Sequence, residues 1–317
     1  MLDPNRDGVI RDFTAVTYAQ GRYVAVGVAF HAMDNAIVEG SDTAVIFISD
    51  DGRNWRDVSL RVPARLMAVT FGEDRFVAVG SFRHPAGIGP QESDPVVLIS
   101  LDGETWTEAP NPPDLWLRSV AFGNGRFVAT GFNPITLLAE IFVSNDGLTW
   151  DDVAVMDIPS TEITFGNGMF VLWGESNRIG VSTDGENWEV VTAESVGQVR
   201  DIAYLDGRFI GTGDYDCCFG EVAGTRITYT LESENGTTWN VREQALGEVF
   251  FSHSFGSGRF VATSGREIAV ADDSFTWTVV ADFNEWIGDV VYGSDGFVTA
   301  GRIILFSVDG LDWERVD

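Results

Sequence analysis

The hydrophobic pattern of this chain returns seven times in the same phase. Each copy begins with a short apolar run, continues as Gly-Arg-Phe-Val-Ala or a variant, and ends as Ser-x-Asp-Gly-x-x-Trp or a variant. The aromatic residues of the first half are Tyr23, Phe76, Phe127, Phe170, Phe209, Phe260 and Phe297. The tryptophans that close the copies are Trp55, Trp106, Trp150, Trp188, Trp239, Trp277 and Trp313. This period indicates a repeat architecture.

Within one copy the pattern is typical of strands, because apolar and β-branched runs alternate with Gly, Asn and Asp at turns. The second copy contains four such runs, LMAVTFG, DRFVAVG, VVLISLDG and ETWTEAP. Four short antiparallel strands in about 45 residues match the size of one propeller blade. The sequence therefore predicts an all-β fold, a seven-bladed β-propeller with four antiparallel strands per blade.

The repeats also predict the domain organisation. Residues 1–9 form a lead-in, and residues 10–317 form a single propeller with blades at approximately 10–60, 61–111, 112–156, 157–193, 194–244, 245–281 and 282–317. The first copy opens on a first strand and the last ends on a fourth strand. We therefore expect contiguous blades and a ring that closes by side-chain packing, without a borrowed strand, unless residues 1–10 add a clasp.

Five closing motifs carry a family resemblance: ISDDGRNW, ISLDGETW, VSNDGLTW, VSTDGENW and FSVDGLDW. They resemble the Asp-box, or bacterial neuraminidase repeat, of sialidase-like propellers, in a variant one residue shorter between Asp and Gly. The resemblance implies a turn between the third and fourth strands that Asp and Ser stabilise and that a packed Trp follows. By position, the structural aspartates are Asp51, Asp102, Asp146, Asp184 and Asp309. The fifth and sixth copies are altered, with Asn235 and with Asp273 beside Ser274.

Charge excludes several functions. The 317 residues carry 48 Asp and Glu against 20 basic residues, all of them arginine, which gives a formal net charge of −28. Such an acidic chain does not favour nucleic acid as a partner, and the absence of lysine excludes Schiff-base chemistry. No apolar run is long enough to span a membrane. We expect a monomer in an extracellular or periplasmic setting whose leader is absent from this chain, with the cytoplasm as an open alternative.

Insertions predict where a ligand binds, because they concentrate between the second and third strands of repeats one, two, three and five. Those connections share the propeller rim opposite the Asp-box turns, and insertions on one face often mark recognition. Charged and aromatic residues at the starts of the first strands adjoin the same rim. The ligand-binding candidates are Arg65, Arg118, Arg200, Glu162, Asp201, Asp289, Trp116, Trp286, His31, His84, Arg83, Tyr215 and Asp216.

Each candidate also has a purely structural interpretation. Arginines and carboxylates that line a propeller channel can pair only with one another. Trp116 can cap a blade, and His253 aligns with Val or Ile in the other copies, which indicates a packed core position. The arginines of the Gly-Arg-Phe turns, on the Asp-box rim, are expected to pair with carboxylates there.

Two further motifs suggest local chemistry. The adjacent Cys217 and Cys218 are either two free thiols or a vicinal disulfide that stiffens a ligand-facing loop. Asp3, Asn5 and Asp7 resemble the start of a calcium loop, but Thr14 stands where a bidentate carboxylate is needed. We therefore expect no cofactor and no metal site, with calcium at residues 3–7 as a weak alternative.

Three functions remain open from the sequence. The favoured hypothesis is a non-catalytic binding propeller that holds a glycan or a protein partner at the channel mouth on the insertion-bearing rim. The first alternative is a carbohydrate-active enzyme, a glycoside hydrolase or polysaccharide lyase, that uses the same mouth with catalytic residues unknown. The second alternative is an assembly scaffold, because proteins with this repeat also include photosystem assembly factors.

Overall fold

The fold consists of strands and contains no helix in the described part of the chain. The computed structural model describes residues 9–33, 36–37, 42–83, 93–110, 112–113, 115–133, 135–136, 138–159, 161–216, 226–244 and 246–316. Of residues 32, 33, 36, 37, 83, 93, 216 and 226 it describes the backbone alone.

The strands follow the repeats. Repeat one contains β1 (Val9–Ala19), β2 (Arg22–Met33), β3 (Ala36–Ile37), β4 (Thr43–Ser49) and β5 (Arg56–Asp57). Repeats two and three contain β6 (Arg65–Gly72), β7 (Arg75–Arg83), β8 (Ser93–Ser100), β9 (Thr107–Glu108), β10 (Trp116–Gly123), β11 (Arg126–Asn133), β12 (Leu138–Ser144) and β13 (Asp151–Met156). Repeats four and five contain β14 (Glu162–Gly166), β15 (Met169–Trp173), β16 (Arg178–Ser182), β17 (Glu189–Thr192), β18 (Gln198–Leu205), β19 (Arg208–Asp216), β20 (Arg226–Ser233) and β21 (Asn240–Glu243). The last two repeats contain β22 (Ser252–Gly256), β23 (Arg259–Thr263), β24 (Gly265–Ala271), β25 (Thr278–Tyr292), β26 (Phe297–Gly301), β27 (Leu305–Ser307) and β28 (Glu314–Arg315).

Antiparallel pairing in chain order gives four strands per repeat, with β3 as a short addition to β2 in the first. The sixth and seventh repeats differ from the others because β25 serves both. Its first half pairs with β24, as at Val270 and Thr278, and its second half pairs with β26, as at Tyr292 and Phe297. These two blades therefore form one continuous seven-stranded sheet. The repeats predict a separate sheet for each of these two blades, because their boundaries fall at the end of each repeat.

The first strands of the seven repeats form a closed ring. Each packs against the first strand of the next repeat, from β1 through β6, β10, β14, β18 and β22 to the second half of β25, which returns to β1. Among the strands that the structure describes, none pairs the first blade with the last. A shared apolar cluster that includes Phe13, Phe47 and Phe306 joins them, and the buried Tyr23 hydroxyl donates to the Gly296 carbonyl at 2.8 Å. Within the described residues, side-chain packing and this hydrogen bond join the two blades.

The closing motif folds into the same turn in every repeat. In the fourth copy, Asp184 Oδ1 accepts the backbone N–H groups of Glu186 and Asn187 at 2.9 and 2.8 Å. The Trp188 indole N–H donates to the Gly185 carbonyl at 2.8 Å, and the corresponding indole bond forms in all seven repeats. Asn235 and Asp273 accept two backbone N–H groups in the altered fifth and sixth copies. The turn tolerates these changes because its donors are backbone groups.

These turns make the fold sensitive to acid. The backbone and side-chain N–H groups of Asn187, with the backbone N–H of Glu186, hold the pKa of Asp184 well below its ordinary value of 3.8. A lowered pKa contributes stability above the ordinary pKa, and this contribution disappears as the pH falls through the folded-state value. We expect Asp184→Asn to keep the turn, because Asn235 makes the same bonds, and to lose less stability than the wild type below about pH 4. Urea unfolding across acid pH measures this difference.

The matched control is Asp152→Asn, which changes an exposed aspartate in the neighbouring third blade. It should leave the acid dependence of unfolding as in the wild type. Identical acid curves for Asp184→Asn and the wild type would contradict the role assigned to the turn.

Candidate functional site

The candidate site lies where the first strands begin, and we call this end of the ring the mouth. Arg65 and Trp116 are the first residues of β6 and β10, and Arg200 is the third residue of β18. Trp286 immediately precedes the second half of β25. The connections between second and third strands leave the sheets at the same rim, because neighbouring strands are antiparallel. The structure therefore brings candidates from several repeats to one end of the ring.

Polar side chains near the mouth link neighbouring blades. Asp289 Oδ2 accepts the Val16 N–H of the first blade at 2.8 Å. Ser252 Oγ accepts the Val290 N–H at 3.1 Å, and Ser119 Oγ accepts the Ile163 N–H at 3.3 Å. In each case one blade supplies the side chain and the next blade supplies the backbone N–H. These residues stabilise the ring.

Asp289 is the most fully bonded carboxylate of this set. Besides Val16, it accepts the Ser252 hydroxyl at 2.5 Å and the Val290 N–H at 2.9 Å, both on Oδ1. Burial raises the pKa of Asp289 from its ordinary value of 3.8 to about 6, although these donors oppose the rise. The negative charge of Asp201 adds to the rise.

The raised pKa predicts a pH-dependent stability. A carboxyl whose folded-state pKa is raised stabilises most below its ordinary pKa, and that stability disappears as the pH rises through about 6. Relative to Asp289→Asn, the wild type should therefore lose up to about 3 kcal/mol of unfolding free energy between about pH 4 and pH 7. Urea unfolding of both proteins across this range measures the difference.

Asp282→Asn is the control, because Asp282 is an exposed aspartate on the same strand. The difference in unfolding free energy between Asp282→Asn and the wild type should not follow the pH dependence expected for Asp289→Asn. A constant difference between the wild type and Asp289→Asn across the range would show that Asp289 does not titrate there.

Arg118 and Glu162 form an ion pair between the third and fourth blades. Arg118 Nε donates to Glu162 Oε1 at 3.0 Å. Desolvation by the surrounding blades raises the pKa of Glu162, and Arg118 opposes the rise. The Arg118 side chain is 41% exposed. Arg118 therefore pairs across the blades while part of its guanidinium faces solvent.

Asp201 and His253 form a second pair, between the fifth and sixth blades. His253 Nδ1 lies 2.5 Å from Asp201 Oδ2. The imidazole packs edge-on against Trp277 and Phe250, and its Nε2 has no hydrogen-bond partner among the described residues. His253 is buried, as the core interpretation expected, and its ring also contacts a carboxylate.

Two further candidate arginines, Arg200 and Arg65, also have carboxylate partners. Arg200 makes two bonds to Asp214, at 2.9 and 3.1 Å, and the Asp214 side chain is 0% exposed. Arg65 Nη2 lies 3.8 Å from Asp42 Oδ2. Burial raises the pKa of Asp12, whereas the positive charges of Arg302 and Arg65 lower it. The arginines at the mouth therefore lie among carboxylates.

The aromatic candidates have different environments. Trp286 is 45% exposed and lies beside Phe251, which is 40% exposed, with ring centroids 5.7 Å apart and an angle of 41° between the planes. Tyr215 is also exposed. Trp116 is only partly exposed, and its indole N–H is buried without a partner among the described residues. Trp286 with Phe251 is therefore the more accessible aromatic surface.

Several candidates cannot be placed. His84, Cys217, Cys218, Asp3, Asn5 and Asp7 lie outside the described residues. Arg83 and Asp216 end β7 and β19, with only their backbone described. His31 lies on β2 and is exposed. Within the described ranges, no group of three or more His, Cys, Asp or Glu could hold a metal ion.

Sequence reasoning missed four residues of this region. Phe251 occupies the alignment column of Arg118 and Arg200, but as a phenylalanine it was not distinguished from core residues. Asp12, Asp214 and Arg302 lie on β1, on β19 and just after β26. Asp214 belongs to a second strand, whereas only first strands and connections were searched. An aligned search of second strands for charged residues would have found it.

The comparisons with known proteins show the fold. No protein-family model and no curated protein matches the chain. Among solved structures, the chain is similar to YCF48 from Cyanidioschyzon merolae, with 17% identity, a TM-score of 0.58, and coverage of 82% of this chain and 87% of that one. It is also similar to the WD40 β-propeller domain of Doa1, with 13% identity, a TM-score of 0.59, and coverage of 93% and 92%.

A third similar structure is the extracellular domain of the putative hybrid two component system BT4673 from B. thetaiotaomicron. The identity is 7% and the TM-score is 0.60, over 94% of this chain and 38% of that one. These likenesses support the β-propeller fold. No helix among the described residues is long and apolar enough to cross a membrane.

Proposed function

We propose that this protein is a non-catalytic recognition propeller that holds a glycan or a protein partner at the mouth. The observation that carries the proposal is that the carboxylates at the mouth are engaged in contacts within the protein, whereas aromatic side chains there are exposed. The carboxylates bind neighbouring blades or nearby arginines, whereas Trp286, Phe251 and Tyr215 remain exposed. Exposed aromatic residues grouped at one end of a rigid ring suit recognition.

The same contacts disfavour the alternative of a carbohydrate-active enzyme. Glycoside hydrolysis usually requires two carboxyl groups that can reach the scissile bond from opposite sides. Asp289 is held by three donors, Asp201 by His253 and Glu162 by Arg118. A hydrolase would have to break these bonds between blades in order to use the carboxylates.

Two screens test the proposal: a glycan array and a displayed library of random peptides, each probed with the full chain. We expect selected binders to lose affinity for Trp286→Ala or Tyr215→Ala, and to keep it for Leu101→Ala. Leu101 is the matched control because it is 67% exposed on the opposite, Asp-box rim. Binders that lose affinity only for Leu101→Ala would place recognition on the Asp-box rim and contradict the proposal. Release of sugar from glycoside panels would favour the enzyme.

Three finer points belong to the same proposal. The turn geometry and the five intact motifs support membership in the short-box class of Asp-box repeats. A scaffold role in a larger assembly is compatible with a protein partner at the mouth. The similarity to an extracellular domain supports an extracellular or periplasmic location.

A further inference from the structure

Trp286 and Phe251 form an aromatic platform between the sixth and seventh blades. The six-membered part of the Trp286 indole lies over Gly265, where a Cβ would approach its Cζ3 atom to 2.5 Å. Gly265 also has a φ of +87°, a backbone conformation that favours glycine. The backbone beneath the platform thus accommodates a large ring whose outer side is exposed.

The charge around the platform is negative. Asp282 and Glu285 are exposed on the same strand as Trp286, and within the described residues neither makes an ion pair. Arg266, on the paired strand β24, donates to the Asn284 carbonyl at 3.3 Å, and Arg302 interacts with Asp12. The whole chain carries a formal charge of −28. Cations are therefore attracted to this surface and polyanions are repelled.

We propose that the aromatic platform binds the cationic side chain of a basic segment in a partner protein. A guanidinium or ammonium group over an indole face gains electrostatic attraction from the ring, and Trp is the most favourable aromatic for this contact. Asp282 and Glu285 supply the countercharge. The inference rests on the proposed function and favours a protein ligand over a glycan, because the net negative charge attracts a cationic side chain and exerts no such attraction on a neutral saccharide.

The test uses the full chain and a short acetylated peptide of alternating glycine and arginine. Its matched partner is the same peptide with citrulline, which keeps the planar shape and lacks the charge. We expect the arginine peptide to shift the Trp286 indole N–H resonance, assigned with Trp286→Phe, and the citrulline peptide to leave it unchanged. Added salt should weaken binding, because the countercharges are exposed.

Variants separate the platform from the rest of the mouth. We expect Trp286→Ala to weaken binding of the arginine peptide about ten-fold, and Glu285→Gln to weaken it about three-fold. Glu285→Gln alters only an exposed side chain, so its effect does not depend on the packing over Gly265. Leu101→Ala should have no effect. Near-ultraviolet circular dichroism checks that each variant is folded.

Four outcomes would overturn the inference. Equal binding of the arginine and citrulline peptides would exclude recognition of charge. A Trp286 shift with maltotriose or chitotriose, and none with the peptides, would select the glycan arm. No Trp286 shift with any probe, while screened binders still depend on Tyr215, would reject the platform and leave the proposed function intact. Binders that ignore the mouth altogether would reject both.

Discussion

His253→Val is expected to lower the free energy of unfolding by about 3 kcal/mol, although Val or Ile occupies this column in the other six repeats. The Asp201 side chain is only 13% exposed, and His253 Nδ1 lies 2.5 Å from its carboxylate. Valine would leave that carboxylate without its partner, between the charges of Glu162 and Asp289. Removing one member of a buried pair costs more than the pair itself contributes.

A second substitution should reverse most of this loss. Asp201→Ser in the His253→Val background gives a combination similar to that between the third and fourth blades, where Ser119 contacts Ile163, the residue in the His253 column. Urea unfolding at neutral pH measures both variants. Loss of less than about 1 kcal/mol in His253→Val, or a double variant no more stable than that single variant, would contradict a buried pair.

Arg200→Ala is expected to produce a loss of similar size, about 3 kcal/mol. The Asp214 side chain is completely buried and receives two hydrogen bonds from the Arg200 guanidinium. Arg118→Ala is the matched comparison, because Arg118 makes one bond and is 41% exposed. Its loss should be about 1 kcal/mol or less, since exposed pairs contribute little.

The two arginine variants also test whether Arg118 and Arg200 stabilise the fold or bind a ligand. Arg200→Lys should recover only part of the stability, because lysine cannot make the paired bonds of a guanidinium. Chemical unfolding of all three variants provides the measurement. Equal losses for Arg200→Ala and Arg118→Ala would show that the burial of Asp214 has no special consequence. A stable Arg200→Ala that loses a mouth ligand would return Arg200 to the binding site.

The architecture could be predicted because each repeat contains the same apolar pattern and a closely related closing motif. The alternation of apolar residues predicts strands, and the Ser, Asp, Gly and Trp of the closing motif predict one turn. The altered fifth and sixth copies form that turn too, because Asn235 and Asp273 present an oxygen to the same backbone groups. Seven copies at one phase also predicted that charged columns would meet at one end of the ring.

The partners at that end could not be predicted, because they depend on how one sheet is placed against the next. Asp201 and His253 are 52 residues apart and occupy neighbouring columns, yet alignment alone does not show that their side chains meet. Arg118 and Arg200 were both predicted as ligand-binding candidates, but Arg200 bonds within its own blade and Arg118 bonds to the next. The continuity of β25 was also missed, because strand boundaries were inferred from each repeat separately.

The continuity of β25 has a dynamic consequence. One strand belongs to both the sixth and seventh blades, and its two ladders meet at Ile287, which pairs with Gly265 on one side and Gly301 on the other. Separating the two blades would therefore break backbone pairing at Ile287. We expect the amide protons of these two blades to exchange with solvent as one cooperative unit, apart from those of the other five. Trp286 lies inside that strand, so an occupant of the platform would slow exchange in both blades together.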